Sequence, residues 1–97
     1  MKNISRLDFS NKLKEKRKKI DLIDRKLLTL LNQRLRIALE SGEIKKKREE
    51  KIYDPGREKE VLEKLKLKNK GLLKNEDLEK IFRVIIGVCR QSQTVTF

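Results

Sequence analysis

The sequence predicts an all-α fold of three helices per chain, one of them very long, and three observations carry that reading. Leu and Ile dominate the apolar set while aromatics make up only 4% of the residues, which suits helices better than a β-sandwich. Pro occurs once and Gly four times, so long helices are permitted almost everywhere. Apolar side chains also recur at three- and four-residue steps, the period of one helix face. By size, the 97 residues make a single domain spanning 1–97, with its core over about 10–93 and a frayed tail from Thr94 to Phe97.

The first helix is expected from about Ser10 to about Lys51. Leu13, Ile20, Ile23, Leu27, Leu28, Leu31, Leu35, Ala38 and Leu39 form its apolar series. Gly42 is its one weak residue; it costs roughly 1 kcal/mol against Ala and need not break the helix. Asp54-Pro55 is clear punctuation, because Asp54 can cap and Pro55 is tolerated at the first helical position. The second helix then runs from Pro55 to about Asn69 and buries Val61, Leu62 and Leu65, with Gly71 supplying a stop. Asn75, followed by Glu76 and Asp77 in the first turn, starts the third helix, which ends near Gln93. Its apolar face is Leu78, Ile81, Phe82, Ile85, Ile86 and Cys89.

Length sets the assembly. A helix of about 40 residues is roughly 60 Å long, whereas a compact domain of this size has a radius of gyration of about 13 Å. The two later helices are each too short to cover the first, and with 36% apolar against 43% charged residues the chain has little core of its own. A second copy is the natural cover, giving an intertwined homodimer. The alternative is a monomer in which the first helix breaks near Gly42.

The net charge of +12, from 27 Lys+Arg against 15 Asp+Glu, suits an anionic partner: nucleic acid or a small anionic metabolite. For most of the lysines the ordinary reading is a solvated surface. With no His and only Cys89, no Cys/His metal set and no intrachain disulfide can form, which fits a reducing cytosol. Residues Met1 to Arg6 hold no apolar segment, so neither a signal peptide nor a membrane span is expected and the protein should stay in the cytoplasm. The chain ends soon after Gln93, which leaves no room within it for a dehydratase, dehydrogenase or synthase domain.

Candidate binding residues lie where cations meet apolar positions. Arg34 and Lys45 are 11 residues apart, almost three turns, so they share a face and can lean together onto one small anion. Arg17 is too far along the helix to join the same ligand within one chain, but a dimer partner could bring its own. Arg57 and Glu58 fall in the first turn of the second helix, where backbone N–H groups also point outward. Cys89 and Gln93, four apart, lie on one face of the third. Each of these pairs alone could arise by chance on a basic helix.

Together they form a pattern. The run Arg17-Lys18-Lys19-Ile20-Asp21-Leu22-Ile23-Asp24, then Leu27-Leu28, Leu30-Leu31 and Gln33-Arg34, resembles the first helix of the all-helical (type II) chorismate mutases, and Lys45 follows at that family's spacing. Ile52-Tyr53-Asp54-Pro55-Gly56-Arg57-Glu58 resembles the family's Asp-Pro-x-Arg-Glu signature. Ile81 to Ile86, with Cys89-Arg90 and Gln93, resembles its closing helix; Cys89 departs from it, because the family often has a Ser there and a thiol is the poorer donor.

The resemblance implies an isomerase that rearranges chorismate to prephenate by a pericyclic shift, without metal, cofactor or nucleophile. It implies that Arg34 and the partner subunit's Arg17 bind the two carboxylates with planar forks. It further implies that Lys45 and Gln93 donate to the ether oxygen and that Glu58 accepts from the ring hydroxyl near the Asp54 backbone. Arg57 would line the pocket, and Cys89 would neighbour a carboxylate. Rival readings are an isochorismate pyruvate-lyase of the same fold, a non-catalytic relative that binds pathway metabolites, and a basic helical nucleic-acid-binding protein. The last explains the charge but leaves Arg57, Glu58 and Gln93 unexplained, and the chain is poor in aromatic stacking residues.

Overall fold

The computed structural model describes residues 6–94, and within them the order is α1 (Arg6–Lys47), α2 (Pro55–Lys68) and α3 (Asn75–Gln93). The fold is all-α, as the composition and periodicity predict. α1 is continuous through Gly42, so the helix does not break there. It is displaced from the expected span, beginning four residues before Ser10 and ending four before Lys51.

The early end has a local cause. The N–H of Glu49 donates to the Lys46 carbonyl (3.2 Å) and that of Glu50 to the Lys45 carbonyl (2.8 Å), which is the paired closure of a Schellman turn. Glu49 takes the left-handed conformation this requires, at φ 58°. No Gly marks the stop, and a residue with a Cβ is disfavoured in that conformation by about 1–2 kcal/mol.

α2 starts as expected. Asp54 caps it by accepting from the N–H of Arg57 (3.0 Å), and Pro55 opens the first turn. Its end is set by Asn69 rather than Gly71. The Asn69 side chain donates to the Leu73 carbonyl (2.6 Å) and to Asn75 Oδ1 (2.8 Å), and its own Oδ1 accepts from Gly71 N–H (3.3 Å). One amide thus organises the whole α2–α3 connection, where the sequence predicts Gly71 as the stop; Gly71 has no positive φ. α3 begins at Asn75 with Glu76 and Asp77 in its first turn, and Thr94 forms its C-cap. The rest of the expected frayed tail, residues 95–97, and most of the N-terminal stretch, residues 1–5, lie outside the described residues.

The chain divides into two compact units, Met1–Asn32 and Gln33–Phe97. In the first, the described residues are all helical and all exposed, the apolar series from Leu13 to Leu31 included. Thr29 and Asn32 donate back to the carbonyls of Arg25 and Leu28, one turn earlier. In the second unit, Leu62 from α2 and Leu78, Ile86 and Cys89 from α3 form the buried apolar core. Ile81, expected on the buried face, is 48% exposed, while Phe82 and Ile85 are half-buried. Glu79 links α2 to α3, accepting from Lys66 (3.1 Å) and from Arg83 (2.7 Å). Among the described residues, no helix is long and apolar enough to cross a membrane.

Candidate active site

Within the second unit, the C-terminal part of α1, the connector with the first turns of α2, and the last turns of α3 enclose a cavity of about 300 Å³. Arg34, Lys45, Asp54, Arg57, Glu58, Cys89 and Gln93 all line it. Arg17 is not among the lining residues; it belongs to the first unit and is exposed.

Arg34 and Lys45 both face the cavity because their spacing is close to three turns. Lys45 Nζ donates to the Ile52 carbonyl (3.1 Å), which draws the connector toward α1. Among the described residues, Arg34 has no hydrogen-bond or ion-pair partner, so its five donors are available to a ligand.

The two carboxylates of the lining are already occupied. Asp54 is committed to capping α2 through its side chain, and its carbonyl accepts from Glu58 N–H (3.1 Å). Glu58 is half-buried, and both of its oxygens accept from Arg90 Nη1, at 2.7 and 2.6 Å. That contact with Glu58 raises the Arg90 pKa, against the opposing effect of partial burial, so the guanidinium stays charged. The Arg90 guanidinium also lies 4.8 Å from the centre of the Tyr53 ring, within cation–π range. Arg57 turns its guanidinium toward exposed Glu60 (3.1 Å).

On α3, Cys89 is buried with a free thiol at the cavity wall. Gln93 Nε2 donates to the Ala38 carbonyl (2.6 Å). Since the acceptor is a carbonyl, the amide nitrogen must face it. Nε2 carries two hydrogens, and the second remains for a ligand.

Four cationic side chains (Arg34, Lys45, Arg57, Arg90) therefore surround the cavity against two engaged carboxylates. Such an arrangement binds a small anion and can stabilise negative charge that develops on it. A second cavity, about 670 Å³, also touches Gln93 but is lined by Glu43, Glu49 and Glu50 with Lys46 as its one lysine, a charge balance that repels anions.

Arg90 and Gly42 are among the lining or supporting residues to which the sequence alone gives no role in the site. Arg90 follows Cys89 and precedes Gln93 by three, so the helical spacing carried the signal. Gly42 is buried against Gln93, and a glycine inside a long helix is itself a sign of close approach. The role of the Ile52 carbonyl as an anchor for Lys45 leaves no trace in side-chain identity.

Comparison with known proteins points to one family. The model of the family described as chorismate mutase type II matches residues 16–94. Over 81 residues the chain is 46% identical to the bifunctional chorismate mutase/prephenate dehydratase of Aquifex aeolicus (strain VF5), a match covering 79% of this chain and 22% of that protein. The chain thus spans about a fifth of the length of such bifunctional relatives. Among solved structures, chorismate mutase (form II) from Thermus thermophilus superposes with a TM-score of 0.83 at 30% identity, covering 84% of this chain and 93% of that one. Chorismate mutase from Helicobacter pylori in complex with prephenate superposes with a TM-score of 0.79 at 35% identity, covering 86% and 90%. With the matched span taking in α2, α3 and all but the first residues of α1, the chain belongs to the chorismate mutase type II family.

Proposed function

We propose that this chain is a chorismate mutase, an isomerase that converts chorismate to prephenate by a cofactor-free pericyclic (Claisen) rearrangement on the route to Phe and Tyr. The observation that carries the reading is the single cavity shared by Arg34, Lys45, Glu58 and Gln93, in which cations outnumber carboxylates. That a relative at 35% identity holds prephenate supports it.

The reaction breaks a C–O bond and forms a C–C bond in one concerted step, with no proton transfer and no covalent intermediate. The protein's tasks are to hold the compact, diaxial conformer of a dianion and to stabilise charge gathering on the ether oxygen. Arg34 takes one carboxylate with its planar fork, and Arg17 of the partner subunit takes the other. Lys45 and the free N–H of Gln93 converge on the ether oxygen. Glu58, held in place by Arg90, accepts from the ring hydroxyl, with the remaining lone pair of the Asp54 carbonyl nearby. Arg57 orients its neighbours, and Cys89 adjoins a carboxylate.

The functional unit in this reading is an intertwined homodimer working in the cytoplasm. Its support is the exposed apolar series of α1, including Ile20, Ile23, Leu27 and Leu28, each at least half exposed in the single chain. The test is to follow the loss of chorismate's ultraviolet absorbance and the formation of prephenate with the purified chain. Turnover to prephenate is expected. Release of pyruvate would instead indicate a lyase, and salt-sensitive DNA binding without turnover would overturn the enzymatic reading.

A further inference from the structure

Gly42 is buried in the penultimate turn of α1, inside the helix, where a glycine is the least favourable residue short of proline. A Cβ built on it would lie 2.9 Å from Gln93 Cγ, 3.0 Å from Gln93 Cβ and 3.4 Å from Gln93 Cδ. The first of these is closer than carbon atoms approach without displacement. The Gln93 side chain thus occupies the space a Cβ would take. From that notch it reaches the Ala38 carbonyl at 2.6 Å. Ala38 stands four residues before Gly42, so its carbonyl is the helical acceptor for Gly42 N–H, with a second lone pair left for Gln93.

We propose that Gly42 is a positioning residue: the absent side chain forms the notch that seats Gln93, fixes its carboxamide against Ala38 and aims its second N–H into the cavity. The inference rests on the proposed reaction for its catalytic meaning, since Gln93 is there a donor to the ether oxygen. Its geometric content stands without that reaction. Any larger side chain at 42 pushes Cγ and Cδ of Gln93 away from α1, and displacement of a donor by about 1 Å costs on the order of 10²-fold in rate.

The experiment is Gly42→Ala in the full chain, examined in three ways. Ala is the better helix former, so the thermal midpoint should be no lower than that of the wild type. Turnover of chorismate should fall by about 10²-fold, with KM changed much less, because the lost contact belongs to the transition state. In a Gln93→Ala background the same substitution should produce no further fall in kcat. Independently of turnover, the Gln93 side-chain amide resonances should move on Gly42→Ala as the bond to Ala38 is lost.

Unchanged Gln93 amide resonances would overturn the proposal, as would an equal loss of kcat in both backgrounds. A midpoint lowered by more than about 5 °C would assign Gly42 to packing of α3 instead, and would also overturn it. If the wild-type chain does not turn over chorismate, the reaction fails as a reading, and the resonances alone decide whether Gly42 seats Gln93.

Discussion

Arg90 Nη1 donates to both carboxylate oxygens of Glu58, at 2.7 and 2.6 Å, and so ties the last turn of α3 to the first turn of α2 across the cavity wall. A carboxylate gripped in this way keeps its direction, which an acceptor for a substrate hydroxyl needs. Arg90 thereby acts on the ligand through Glu58. Arg90→Met is expected to lower turnover by about 10-fold or more in the wild-type background and to have little further effect once Glu58→Gln has removed the charge. A double-mutant cycle on kcat/KM checks this, and independent effects of the two substitutions would separate the residues.

Shared sites make a sharper expectation. If Arg17 serves the partner's cavity, Arg17→Ala and Arg34→Ala chains should each be nearly inactive alone. Mixed and refolded together, they should form heterodimers in which one cavity draws both arginines from unsubstituted positions. Recovery of activity toward half that of the wild type is expected in the isolated heterodimer. Its absence there would mean that both arginines act within one chain.

Gln93 offers a pH experiment. A pericyclic reaction needs no titrating group, so the wild-type rate should be flat from about pH 6 to 8. Gln93→Glu puts a carboxyl against the Ala38 carbonyl, 2.6 Å from the present amide nitrogen. Ionised, that carboxyl would repel both the carbonyl and the charge building on the ether oxygen; protonated, it can donate again. Activity should rise as pH falls from about 8 toward 5 following one protonation, with a loss of at least about 10²-fold at the alkaline end. A flat profile with wild-type activity would remove Gln93 from the breaking bond.

Stability should depend on pH through Glu79. Hydrogen bonds from Arg83 and then Lys66, with the Lys66 charge, hold its carboxyl below the usual carboxylate range. A depressed folded-state pKa means that the unfolded chain binds the proton first. The stabilisation is therefore present above the unfolded value of about 4.5 and is lost as pH falls through the lower folded one. Glu79→Gln should lower the thermal midpoint at neutral pH and flatten its acid limb, as read by circular dichroism across that range.

Much of this architecture is legible in the residues themselves. Asp54-Pro55 announces the start of α2 because both residues act locally, one as a cap and the other through its fixed φ. The helix period places Arg34 with Lys45, and Cys89 with Gln93, because each pair is fixed by a single element. Three features are hidden, each for its own reason. The end of α1 rests on Glu49 in a conformation usually left to Gly, so the sequence carries no mark of it. Asn69 supplants Gly71 through side-chain bonds to residues four and six positions on. The grip of Arg90 on Glu58 spans 32 positions, a pairing that only the packing of α3 on α2 creates. Ile81 departs from expectation because a position on an amphipathic face does not by itself bring burial; at that point of α3 the single chain leaves the side chain half open.

The bond from Lys45 to the Ile52 carbonyl changes how charge-removal experiments on this lysine must be interpreted. The ammonium closes an eight-residue ring of backbone running from the end of α1 through the connector, two positions before the cap of α2. A ligand anion and the connector therefore compete for, or divide, the three N–H groups of one side chain. Replacing Lys45 by an isosteric neutral residue takes away a ligand contact and also opens the ring that holds Ile52 and steadies Asp54. The activity lost in such a variant is then an upper bound on what the positive charge contributes. Amide exchange along residues 49–53 would show how much of that loss comes from the loosened connector.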